Sequence, residues 1–145
     1  MTDEESPQDI EFEFDAELPP LVPPGDNYTV AFRRAERRWL WGKRVKLFMR
    51  FQVVAPAQFA GLPLFMFCNV PPGGKWGVGF KFFRAWCLAS GYRPQRKDRL
   101  STSVFRGKYF RARVKTVASA SNQTTRALGA KYSIIDDLLH IEAGA

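Results

Sequence analysis

The most regular pattern along the chain is a strict alternation of apolar and polar side chains over residues 109–116. A period of two is typical of a β-strand that is buried on one face only. The face predicted to be buried carries Phe110, Ala112, Val114 and Thr116. The opposite face carries one aromatic ring and three cations, namely Tyr109, Arg111, Arg113 and Lys115. We therefore predict an extended segment over residues 103–117, bent at Gly107.

A second segment, residues 45–53, repeats this design. Its predicted core face consists of Val45, Leu47, Met49, Phe51 and Val53, and its outer face of Lys46, Phe48 and Arg50. Rings interleaved with cations suit stacked bases and their phosphates. For either strand alone, an ordinary sheet with a charged, solubilising face is the simpler explanation. Two such strands in one basic chain favour nucleic-acid binding.

The first half of the chain reads as three strands. Two extended segments, residues 28–41 and 43–55, are joined by a turn at Gly42. Good helix formers leave a helix over residues 31–40 as the alternative. After a short connection, an apolar third strand is predicted over residues 62–70.

Beyond a proline- and glycine-rich break at residues 71–74, the pattern changes to a helical one. An amphipathic helix of about four turns is predicted because apolar side chains recur at helical spacing. These side chains are Trp76, Phe80, Phe83 and Cys87. Gly91 is a natural C-terminal stop. A basic loop over residues 93–99, the strand described first, a polar loop over residues 119–125 and a last strand over residues 131–141 follow.

Charge is divided unevenly between two parts of the chain. The 145-residue protein has a formal net charge of +8, but residues 1–26 contain nine acids and no lysine or arginine. The remaining residues hold all 22 bases and five acids, which gives them a net charge of +17. Because the first part is also proline-rich, we predict a flexible acidic arm over residues 1–27 and one folded domain over residues 28–145.

This asymmetry indicates a polyanionic partner for the domain. The arm is predicted to compete for the same cationic surface and so to be autoinhibitory. Alternatively, Phe12 and Phe14 recruit a protein partner or pack on the domain as an edge strand. The sequence leaves a homo-oligomer open.

Other function classes lack their usual residues. No cationic region followed by an apolar core begins the chain, and no apolar run approaches the roughly 18 residues of a membrane helix. The two cysteines lack CxxC spacing, so a reduced, cytoplasmic setting is expected. His140, with Asp136 and Asp137 nearby, offers too few ligands for a metal, and Cys87 is expected to be packed. We predict a non-enzyme without cofactor, metal or membrane partner.

The predicted nucleic-acid site combines rings for stacking with cations for phosphate contact. The stacking candidates are Trp39, Trp41, Phe48 and Tyr109. The phosphate candidates on strands are Arg37, Lys46, Arg50, Arg111, Arg113 and Lys115. A flanking loop supplies Arg96, Lys97 and Arg99. These assignments depend on register, because a slip of one residue exchanges the two faces of a strand.

The chain resembles a known family in two respects. Its predicted elements follow the order strand, strand, strand, helix, strand, strand, and three short sequence patches are similar. The patches are residues 24–28 (PGDNY), 105–108 (FRGK) and 132–135 (YSII). Over residues 24–142 the chain is similar to OB-fold single-stranded-DNA-binding-like proteins of phages and other mobile elements. The resemblance implies a mainly β, five-stranded OB-like barrel, with one helix between the third and fourth strands. The acidic segment here is N-terminal rather than C-terminal as in bacterial single-stranded-DNA-binding proteins, so their tail-mediated partner recruitment is not carried over.

The leading hypothesis is a non-catalytic protein that binds single-stranded DNA with little sequence preference, in replication, recombination or the maintenance of phages and plasmids. RNA or duplex DNA is the first alternative, because nothing in the sequence identifies a reader of the ribose 2′-hydroxyl. The second is a protein-interaction or assembly module whose basic face meets an acidic protein.

Overall fold

The computed structural model describes residues 9–13, 18–40, 44–95, 99–118 and 131–142. Its helix and strands are β1 (Gly25–Leu40), β2 (Arg44–Ala55), β3 (Pro63–Asn69), α1 (Lys81–Ser90), β4 (Tyr109–Ala118) and β5 (Lys131–Ile141). The predicted features that lie outside the described residues are the turn at Gly42, the polar loop over residues 119–125, Phe14, Trp41, Arg96 and Lys97.

The five strands form one antiparallel sheet in the order β3-β2-β1-β4-β5. β1 and β2 make the predicted hairpin, with Phe32 opposite Phe51, so the alternative helix over residues 31–40 is wrong. Packing decides this, because the core-facing side chains of Val30 and Phe32 are two residues apart. β3 and β5 are the edges of the sheet, and Cα atoms of the two strands come within 8 Å of each other. The mainly β class, with α1 between the third and fourth strands, is confirmed.

The core follows the predicted alternation on both cationic strands. Its members from β2 and β4 are Met49, Phe51, Val53, Phe110, Ala112 and Val114. Each buried phenylalanine of this kind contributes roughly 1.5–3 kcal/mol through removal from water. Thr116, also predicted to face inward, is exposed, and Val45 and Leu47 are only half-buried, so the core ends before these positions.

A bulge in β1 reverses the faces of that strand partway along its length. The register with β2 shifts between Phe32 and Arg34. Before the shift Phe32 packs against the core, and after it the odd-numbered Ala35 does so. An extra residue in one strand of a pair has this effect because side chains alternate with a period of two. Arg34 and Arg38 consequently share the outer face with the even-numbered side chains of β2.

The helix is shorter than predicted and buries a different face. α1 begins only at Lys81, because Phe80 has extended backbone angles (φ −99°, ψ 129°). The predicted stripe is wrong for Phe80 and Phe83, which are not part of the core, whereas Trp76 and Cys87 are half-buried and pack against it as predicted. The side chains that α1 buries are Phe82, Ala85, Trp86 and Ala89. Gly91, in the left-handed region at φ 82°, ends the helix as predicted.

The strand predicted over residues 103–117 is confirmed only in its second half. A 3₁₀ turn, Thr102–Phe105, replaces the first half, and its Phe105 ring is fully buried. Gly107 adopts φ 69°, which lets the chain change direction before β4 begins. Cys68 and Cys87 are both free thiols. No helix in the described ranges has the length and apolarity needed to cross a membrane.

The packed body begins before the predicted boundary at Tyr28. Val22 is part of the core with only 4% of its surface exposed, and β1 starts at Gly25. Upstream, Ile10 and Phe12 are exposed. The separation of an acidic arm from a binding domain stays a prediction.

Candidate nucleic-acid interface

Three phenylalanines form a contact cluster on the outer face of β2 and β3. Phe48 lies opposite Phe67 in the ladder, and their ring centroids are 4.7 Å apart. Phe65 completes the cluster, with its centroid 6.4 Å from that of Phe48 and 6.1 Å from that of Phe67. All three rings are half-buried. They lie on the outer face because the side chains that alternate with them, such as Met49 and Met66, fill the core on the other face.

Two arginines stack on this cluster. The Cζ atom of Arg38 lies 4.2 Å from the centroid of Phe48, and that of Arg50 lies 5.7 Å from the centroid of Phe65. A guanidinium above a ring is favourable by about 0.5–1 kcal/mol at exposed sites. Stacking also leaves the N–H groups at the guanidinium edge free to contact phosphate. Arg38 is ion-paired with Glu36, with 2.8 Å between Nε and Oε1, whereas no carboxylate in the described ranges lies within 4.0 Å of Arg50.

The cluster lies in the floor of a groove of about 410 Å³. Beside it, Arg33, Arg34 and Arg50 line a hollow of about 380 Å³, and a third hollow of about 520 Å³ contains Arg33, Lys108 and Tyr109. Neighbouring hollows share lining residues, so they form one concave path from β4 to β3. We call this path, from Tyr109 through Arg33, Arg34 and Arg50 to the phenylalanine cluster, the outer groove.

Each of the three cations predicted on β4 forms an ion pair with a carboxylate. Arg113 Nε lies 3.0 Å from Asp26 Oδ1, and Lys115 Nζ lies 3.1 Å from Asp136 Oδ1. Arg111 bonds Glu142 through Nε (2.9 Å) and Nη2 (2.7 Å). Partial burial acts to raise the pKa of Glu142, but the hydrogen bond and charge of Arg111 outweigh it, and the pKa is lowered. Most of the positive charge of this row is therefore already compensated within the protein.

The remaining predicted contact residues are divided between two faces. Lys46 of β2 lies opposite Asn69 of β3 in the ladder, on the outer face beyond Phe48. Arg37 instead lines a separate hollow of about 590 Å³ on the inner side of the hairpin. Trp39, 69% exposed, alternates with Arg38 and is paired with Val45, which also places it on the inner side. Arg99 is exposed and belongs to none of the hollows of the outer groove.

The structure thus brings Phe48, Arg50 and Tyr109 together along one groove and separates them from Arg37 and Trp39. Its central members that the sequence prediction omitted are Phe65, Phe67, Arg33, Arg34 and Arg38. The sequence holds a signal for the two rings, because they alternate with Leu64, Met66 and Cys68 in β3, but the prediction for that strand specifies only that it is apolar. The arginines lie on the outer face because of the bulge in β1, and the alternation of apolar and polar residues does not reveal that bulge.

The acidic residues near the single histidine serve ion pairs within the sheet and helix. Asp136 contacts Lys115, and Asp137 Oδ2 lies 3.7 Å from Arg84 Nη2. Within the described ranges, no group of three or more histidine, cysteine, aspartate or glutamate side chains is arranged to hold a metal ion. Burial raises the pKa of the Cys68 thiol to about 12.

Searches of protein-family models and of curated proteins return no match for this chain.

Proposed function

We propose that the protein binds single-stranded DNA through the outer groove, with little preference for sequence. The contact cluster of Phe48, Phe65 and Phe67, flanked by Arg38 and Arg50, carries this proposal. The three half-buried rings, in contact with one another, offer an apolar surface on which a partner can pack. Every base has a face that can stack on such a ring, and each stacked base contributes roughly 1–3 kcal/mol.

The cations beside the cluster supply the electrostatic part of binding. Arg33 and Arg34 are exposed, and no carboxylate in the described ranges lies within ion-pair distance of Arg34 or Arg50. Phosphates that contact such side chains release counterions, which favours binding regardless of sequence. Stacking requires unpaired bases, so this arrangement favours single strands over a duplex.

We further propose that the sheet is an OB-like barrel that uses its central strands as the binding surface. The order of the strands supports this, since the two edges β3 and β5 are the strands that approach each other. The position of α1 between β3 and β4 is the one expected of that fold. A binding role without catalysis, in replication, recombination or mobile-element maintenance, belongs to the same proposal.

The test compares matched fluorescein-labelled single-stranded DNA, single-stranded RNA and duplex DNA of about 20 nucleotides by fluorescence anisotropy. We expect the lowest dissociation constant for single-stranded DNA at about 0.15 M salt. Equal or tighter duplex binding would reject stacking and leave a general polyanion binder. Tighter binding to RNA would reassign the substrate, and loss of all binding would favour the protein-interaction module.

A further inference from the structure

The later part of the predicted arm, residues 18–20, lines the outer groove. Leu18, Pro19 and Pro20 line the same 410 Å³ space as the phenylalanine cluster. Across that space lie Arg38 and Arg50, which stack on the cluster. A strand of nucleic acid stacked on these rings would therefore lie beside the arm.

The arm is fixed at this place by hydrogen bonds to β5. The carbonyl oxygen of Pro20 accepts from the N–H of Ser133 at 2.8 Å. The N–H of Val22 donates to Ser133 Oγ at 2.8 Å, and that hydroxyl lies 3.2 Å from the Val22 carbonyl oxygen, to which it donates. Ser133 is buried and Val22 belongs to the core, so this attachment is part of the folded body.

The residues just upstream of the attachment are unusually acidic. Residues 11–17 contain four carboxylates and no base, and the first basic residue of the chain is Arg33. Glu17 directly precedes Leu18. Seven extended residues span at most about 24 Å, whereas the two interstrand steps from β3 to β1 amount to about 10 Å. The acidic residues can therefore reach Arg50, which lines the same space as Leu18, and Arg34, which is paired with Arg50.

We infer that residues 11–17 bind the arginines of the outer groove in an equilibrium with nucleic acid, so that the arm is a tethered competitor for the proposed function. Phe12 is 90% exposed and is therefore not packed on the groove, as expected of the arm when it is free. In the bound arm, carboxylates take the place of phosphates beside Arg34 and Arg50, for which no carboxylate in the described ranges lies within ion-pair distance. The attachment at Ser133 holds the effective concentration of the arm near millimolar. The apparent dissociation constant for DNA equals the intrinsic one divided by the fraction of time that the groove is free of the arm.

Two full-length variants with the same change in net charge test this inference. The proximal variant neutralises the acids next to the groove through Glu11→Gln, Glu13→Gln, Asp15→Asn and Glu17→Gln. The distal control neutralises four acids farther from the attachment through Asp3→Asn, Glu4→Gln, Glu5→Gln and Asp9→Asn. Both are titrated with a labelled oligothymidylate of about 20 nucleotides at low and at high salt.

We expect the proximal variant to bind about two- to tenfold more tightly than wild type at low salt, with a smaller gain for the distal control. The advantage should vanish at about 1 M salt, where exposed charges are screened within about 3 Å. Equal gains for the two variants would indicate a general charge effect and overturn the inference. Unchanged affinity of the proximal variant would also overturn it while wild-type binding still supports the proposed function. If wild type and both variants all fail to bind, the proposed function itself fails.

Discussion

Replacing Phe48 by leucine should weaken single-strand binding while the protein stays folded. Leucine keeps an apolar side chain of similar size but lacks the ring face on which a base stacks. In the free protein the change removes the ring contacts of Phe48 with Phe67 and Arg38, at 4.7 and 4.2 Å. Because Phe48 is only half-buried, we expect a loss of about 1–2 kcal/mol in the free energy of unfolding.

The expected loss in binding follows from the stacking free energy. One base stacked on an aromatic ring contributes roughly 1–3 kcal/mol. The dissociation constant for single-stranded DNA should therefore rise about 5- to 150-fold. Fluorescence anisotropy at about 0.15 M salt measures this change, and thermal unfolding of the same sample measures stability.

Trp39→Leu is the matched control for this experiment. Trp39 is more exposed than Phe48, but it lies on the inner side of the hairpin. We expect its replacement to leave the dissociation constant within about twofold of wild type, a difference of about 0.4 kcal/mol. A large loss for Trp39→Leu with none for Phe48→Leu would refute the assignment of binding to the outer groove. Collapse of thermal stability in Phe48→Leu would instead show that this ring is a core residue.

Three further results are expected. Arg50→Met should reduce the slope of log affinity against log salt by about 0.7, whereas Arg113→Met, which removes a cation already paired with a carboxylate, should change it little; equal slopes for the two variants would contradict this. The pKa of Glu142 is lowered in the fold, so its stabilising effect is present above its ordinary value of 4.5 and is lost as pH falls through the lower folded value. The difference in unfolding free energy between wild type and Glu142→Gln should therefore shrink on acidification, and a constant difference from pH 7 to 3 would count against the ion pair. With a pKa of about 12, the Cys68 thiol is ionised to only about one part in ten thousand at pH 8, so a thiol reagent should label Cys87 first, and rapid labelling of both cysteines in the folded protein would disprove the burial of Cys68.

Most of the fold could be predicted from the periodicity of the strands. The buried residues of β2 and β4 could be identified from the sequence because each strand covers a core on one face, and a period of two leaves little freedom. The helix was placed less well. The predicted stripe consisted of large apolar side chains and cysteine, whereas the side chains that α1 buries include Ala85 and Ala89 beside Phe82 and Trp86. Which face of the helix is buried depends on the shape of the surface below it, and this shape cannot be predicted from the helix sequence.

The candidate site was predictable only where strands were regular. Phe48 and Arg50 were assigned to the outer face correctly, because β2 alternates without interruption. Trp39 was grouped with them although it lies on the other side, since the bulge between Phe32 and Arg34 reverses the alternation. Phe65 could have been found by pairing β3 with β2, but pairing is a long-range property.

The bulge also changes which residue numbers of β1 face the core. Even positions of the strand point to the core before it, and odd positions do so after it. An insertion of two residues between the bulge and Arg38 would preserve the faces on which the following side chains lie, whereas an insertion or deletion of one residue there would exchange them. Such a single-residue change would turn Arg38 away from Phe48 and bring its neighbour Trp39 onto the outer face. Changes in the length of β1 between the bulge and Arg38 are thus restricted to even steps for as long as Arg38 remains in the groove.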